Sequence, residues 1–292
     1  MAKRTGIVSL LCLAVAACGG NDGNAAASRQ FTYGTPGAAT SVQTAALQSS
    51  LSSMALLQSA PDASTAVSFT EFSGVTYDLF GDSGLSFAAV AATKTALAKA
   101  QNAALLSPTD YGTGFDDPAC VTVTSTSVQL SGCKITLKDS FGTLIATVKA
   151  DGSVTLSNSN QTLGWDLRVS ENFPVSGSGG SASVDASLHS AGNVTVQAPT
   201  DAAPGTVKGS MTSEASVSAS GGGQSESMRL DESLDINVTY ENIPTTCVIG
   251  GTVEAKRVFA DWSIPNMSRP ADKGVKVTWT GCGTGEIAFS TN

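Results

Sequence analysis

Residues 206–240 read TVKGSMTSEASVSASGGGQSESMRLDESLDINVTY, and this stretch decides the fold. Val207, Met211, Ala215, Val217 and Ala219 fall on odd positions, and Met228, Leu230, Leu234, Ile236 and Val238 on even ones. Successive side chains of a strand point to opposite faces, so each half carries one apolar face and one face of serine, threonine and acid. Gly221-Gly222-Gly223 marks the hairpin turn between them. Strands usually run about 5–6 residues, so the segments 206–219 and 224–240 are long. Asp231-Glu232 and Asp235 read as part of the wet face.

The same alternation extends outward in both directions. Upstream it runs through Val121–Leu130, Lys134–Leu137, Leu144–Val148, Val154–Leu156, Trp165–Val169, Val184–Leu188 and Val194–Val196. Downstream it covers Val248–Val258, Asp261–Ile264, Val275–Trp279 and Ile287–Phe289. Asp151-Gly152 reads as a second hairpin turn. Short connections make the strand order a meander. A sheet apolar on one side only needs a cover, and the chain before Pro118 supplies candidates. Residues 40–59 carry Val42, Leu47, Leu51, Met54 and Leu57 at helical spacing, with Thr40 or Ser41 as cap and Pro61 as stop. Val67, Phe69, Val75, Tyr77 and Leu79 alternate and read as one or two strands. Residues 85–106 read as a second helix on the seam Phe87, Val90, Leu97 and Ala104. The expected fold is mainly β with amino-terminal helices: a large curved antiparallel sheet, partly rolled, covered by two helices.

The chain has 292 residues, with 16 basic and 24 acidic side chains and a net charge of −8. An acidic chain gains nothing from a phosphate backbone, so nucleic acid is excluded as a partner. Charged residues make up 14%, and 41% are hydrophobic, which excludes a disordered chain. His189 is the one histidine, which removes most histidine chemistry.

Residues 1–18 read MAKRTGIVSLLCLAVAAC. Lys3 and Arg4 precede an uncharged run from Gly6 to Ala17. As a helix that run reaches only about 18 Å, short of a hydrocarbon core of about 30 Å, so it reads as a secretory signal peptide. Its end, Val15-Ala16-Ala17-Cys18, resembles the lipobox of bacterial lipoproteins. That resemblance implies cleavage after Ala17, a diacylglyceryl group on the Cys18 sulfur and an acylated amine. Two or three chains anchor stably where one does not. Gly19 stands where an aspartate would favour inner-membrane retention, so the resemblance implies the outer membrane. Losing Lys3 and Arg4 takes the charge from −8 to −10. The expected organisation is a signal peptide at 1–17, a lipidated cysteine and flexible tether at 18–36, and one domain at 37–292. Within that domain 37–116 is helical and 117–292 strand-rich.

Four cysteines remain after Cys12 and Cys18: Cys120, Cys133, Cys247 and Cys282. An even number in an exported chain suggests disulfides, and the favoured pairs are Cys120–Cys133 and Cys247–Cys282. With Cys120 opposite Cys133, Val123 faces Leu130 and Ser125 faces Val128, and both sulfurs share the wet face with Thr122 and Gln129. The same test on Cys247 and Cys282 sets Val275, Val277 and Trp279 opposite Glu254, Thr252 and Gly250. That register fails unless a bulge at Gly250-Gly251 repairs it.

Motifs for chemistry are weak. Gly81-Asp82-Ser83-Gly84 looks like the nucleophile motif of trypsin-like proteases, but no histidine precedes it, and a helix-capping turn suffices. Asp110, Asp116 and Asp117 do not match the twelve-residue calcium loop. His189 reads as a solvated residue, and Trp165, Trp262 and Trp279 as core. No catalytic residue, metal or cofactor is expected. The sequence therefore points to a lipid-anchored envelope protein with a non-enzymatic binding or structural role. Its partners are the membrane and another envelope component. The alternatives are a carrier of an apolar ligand, with Leu51, Met54, Val90 and Leu97 lining a cavity, and a hydrolase using the three aspartates.

Overall fold

The computed structural model describes residues 24–55, 57, 79, 115–138, 144–157, 161–177, 180–221, 224–242 and 246–291. They form one large open antiparallel sheet of 11 strands, as the alternation predicts. A two-residue strand β1 (Gly37–Ala38) comes first, then β2 (Val121–Val123), β3 (Ser127–Lys138), β4 (Leu144–Ser157) and β5 (Thr162–Gly177). They are followed by β6 (Gly180–Gln197), β7 (Gly205–Gly221), β8 (Gln224–Asn242), β9 (Thr246–Ser263), β10 (Lys273–Gly281) and β11 (Thr284–Phe289). From β2 to β11 each strand pairs with the next, a pure meander, and β1 closes the far edge on β11. Helix α1 spans Ala25–Ser28 and helix α2 Ser41–Ala55, close to the predicted 40–59. Of the expected strand at 67–79 only Leu79 is described, as a buried helical residue, and the expected helix at 85–106 lies outside the described residues.

The strands are fewer and longer than the alternating runs. Leu144–Val148 and Val154–Leu156 are two parts of β4, Val184–Leu188 and Val194–Val196 of β6, and Val248–Val258 and Asp261–Ile264 of β9. Asp151-Gly152, expected as a turn, lies inside β4. Gly152 takes φ 129° opposite a bulge in β3, and a Cβ there would meet the Asp166 carbonyl oxygen at 2.0 Å. The glycine answers a close backbone approach rather than a reversal.

The register explains the length. Val194, Val207, Val238 and Val253 share one face, which α2 covers with Leu47, Leu51 and Met54. Further along the same face Val184, Ala186, Val217, Ala219 and Ile264 form a second apolar cluster. Between the two runs a polar row in strict register: Ser190, Ser213, Glu232 and Arg257, all buried. Strands β6 to β9 thus reach both clusters and cross the polar row once each.

Both expected disulfides are present: Cys120–Cys133, 13 residues apart, and Cys247–Cys282, 35 apart. Their registers differ from the simple hairpin. Val121 pairs with Leu130 and Val123 with Val128, two residues from the expected pairing. A bulge at Ser131-Gly132, with Gly132 at φ 62°, turns Cys133 onto the apolar face, where it is fully buried. For the second pair, Val275 opposes Ala255, Val277 opposes Val253 and Trp279 opposes Gly251. The β8–β9 ladder skips Ile249, one residue from the anticipated site, and Gly251 at φ 100° completes the kink.

Candidate functional site: the polar face and its strap

The segment expected as a tether at 18–36 is fixed to the sheet from Asn24 onward. The Asn24 side-chain amide donates to the carbonyls of Ser213 (2.9 Å) and Glu232 (3.2 Å), on adjacent strands β7 and β8. The Ala25 backbone N–H donates to Asp231 Oδ2 at 2.6 Å. Asn24 also caps α1 by accepting from Ala27 N, and Ala26 is fully buried against the sheet. The strap then crosses the polar face. Phe31 and Tyr33 lie over Gly274, where a Cβ would come within about 3 Å of the Phe31 ring and the Tyr33 hydroxyl. The Tyr33 hydroxyl donates to Glu254 Oε1 at 2.6 Å. Burial, then the Glu254 carboxylate, push that phenol well above its usual range. Gly34, Gly37 and Ala38 bond to the edge of β11, after which the chain passes to the apolar face and enters α2. Phe31 and Tyr33 were the signal in this segment that separated docking from a tether.

Beside α1 a charged row crosses the polar face in register: Asp151, Arg168, His189, Glu214 and Asp231 on β4 to β8. His189 Nε2 lies 3.0 Å from Asp166 Oδ1, so the histidine expected to be merely solvated is held by a carboxylate. Arg229 binds Asp231 at 2.8 Å and reaches Glu214 at 3.4 Å. Burial raises the Glu214 pKa against the pull of Arg229. On the next stretch of this face burial also raises Asp235, opposed by Lys256.

Asp231 and Glu232 are not both on the wet face. Adjacent strand residues point to opposite sides. Asp231, fully buried beneath the strap, faces the polar side, and Glu232 faces the apolar one, 2.7 Å from the Arg257 guanidinium. Glu232 is in step with Leu230 and Leu234, a signal the sequence already held.

Asp116 and Asp117 serve the edge. Asp116 accepts from the backbone N–H and hydroxyl of Thr136, and Asp117 accepts from Ala119 N to shape the turn at Pro118–Cys120. Asp110, the motif at Gly81–Gly84, Val90, Leu97 and Cys18 lie outside the described residues. Trp279 is in the core. Trp165 and Trp262 are half-buried, their indole N–H groups donating to Ser190 Oγ and to the Met267 carbonyl. Among the described residues no group of three or more metal-binding side chains converges. No family model matches the chain, and neither the curated proteins nor the solved structures yield a match.

Proposed function

We propose that this chain is a bacterial lipoprotein, anchored through acylated Cys18 in the cell envelope, in the outer membrane, with a binding or structural role and no catalysis of its own. The two disulfides carry the reading. Such bonds persist in oxidising compartments outside the cytosol, and they occur in a chain whose first 18 residues have the charge, length and small-residue ending of a lipoprotein signal. The polar face supports a surface role, since its hydroxyls and ion pairs spread over many strands instead of converging on one point. The packing of Leu47, Leu51 and Met54 into the sheet gives no support to the apolar-carrier alternative. The test is the mass of the protein from its native envelope. Residues 18–292 plus acyl chains is the expected result, and Cys18→Ser should leave the precursor uncleaved. A mature species that retains Met1, or bears an unmodified Cys18, overturns the proposal.

A further inference from the structure

The point at which the strap is pinned restricts how the molecule can sit on a membrane. This inference rests on acylation of Cys18. We propose that the mature protein lies flat on the bilayer, its polar sheet face turned to the lipid headgroups and α2 turned away. From Cys18 to Asn24 there are six residue steps, which span at most about 22 Å. Asn24 is bound at mid-sheet: Ser213 is the ninth of 17 residues in β7 and Glu232 the ninth of 19 in β8. Half of such a strand is about 30 Å long. A sheet standing on its strand ends would hold Asn24 out of reach of the anchor. Standing on the β2 edge requires about 26 Å at the usual strand spacing. Standing on the opposite edge, formed by β11 and β1, requires about 17–22 Å, with the chain nearly taut around the strap. Lying flat requires only that the chain leave the polar face on which Asn24 already sits.

The face fits that neighbour. Exposed Lys149 and Arg168 are set against exposed Asp151 and Asp166. This near-balance of charge and hydrogen-bonding groups suits a headgroup layer and excludes hydrocarbon. Attraction to the surface then comes from the acyl chains and orientation from the short linker.

The experiment uses the lipidated full-length mature protein, its acyl mass confirmed, in vesicles of phosphatidylethanolamine and phosphatidylglycerol doped with a nickel-chelating lipid. Because the native cysteines are bonded or acylated, one added cysteine takes one nitroxide. Lys149→Cys and Arg168→Cys probe the polar face, Ala45→Cys the exposed side of α2, Ala203→Cys and Met267→Cys the two strand ends, and Phe289→Cys the β11 edge. Relaxation by nickel should be several-fold stronger at 149 and 168 than at 45. Inserting about a dozen flexible residues after Gly20, which adds about 40 Å of reach, should abolish the difference. Strongest relaxation at 203, 267, 289 or 45, or equal relaxation everywhere, overturns the orientation. An unacylated Cys18 in the mass spectrum overturns the lipoprotein reading instead.

Discussion

Two residues show how burial decides the behaviour of acidic groups in this sheet. Glu232 sits on the apolar face with Arg257 beside it at 2.7 Å. Removing one member of a buried pair leaves a charge in an apolar setting and costs about 3–5 kcal/mol, whereas replacing both with apolar residues is often neutral. Arg257→Met should therefore lower the urea midpoint far more than Glu232→Leu combined with Arg257→Met. A double-mutant cycle measures the difference. Glu171 is half-buried opposite Ala186, and burial raises its pKa above the ordinary 4.5. The folded chain then holds that proton more tightly than the unfolded one. This group's contribution to stability falls as pH rises from about 4.5 through the raised value. Glu171→Gln should stabilise the protein at pH 7 and leave it nearly unchanged at pH 4, as read by thermal melts at both. The position of Glu232 was legible from its even number among Leu230, Leu234 and Ile236. The partnership of His189 with Asp166 was not, because it joins residues 23 apart whose register depends on a hairpin.

At the level of elements, the sequence disclosed strand identity and order better than strand ends. Alternation survives through polar residues such as Ser190 and Asn193, so β6 runs unbroken where hydrophobicity alone suggests two strands. The bulge at Gly132 was hidden, because a single extra residue leaves composition unchanged while reversing every later side chain; the one at Ile249 was legible to within a residue, because the Cys247–Cys282 register failed without it. The edges are managed explicitly. Asp116 and the Cys120–Cys133 bond cover the part of β3 that β2 leaves open. By loop length, replacing both cysteines of that bond with serine should cost about 3 kcal/mol, and the same change at Cys247 and Cys282 about 4 kcal/mol. Asp116→Ala should free Thr136 N for pairing with another molecule. Light scattering should then show concentration-dependent association that wild type lacks. Association at the wild-type level would mean that the edge is guarded by other groups.

For the whole molecule, the strap is the element that closes the structure. It covers Asp231 and Val258 on one face, zips onto β11 and leads into the helix on the other face. Asn24→Ala removes both cross-strand donations and the helix cap, at a cost of about 1–2 kcal/mol. Hydrogen exchange should show faster amides over 25–38 and little change in β4 to β7. Uniform acceleration across the sheet would show the strap to be integral to global folding instead. One contact gives this arrangement a temporal meaning. Thr291 N donates to Thr32 O, and their side-chain counterpart spans a separation of 259 residues. An early stretch is thus fastened to one that is synthesised 259 residues later. During synthesis this fastening of the strap waits for the later segment to be made.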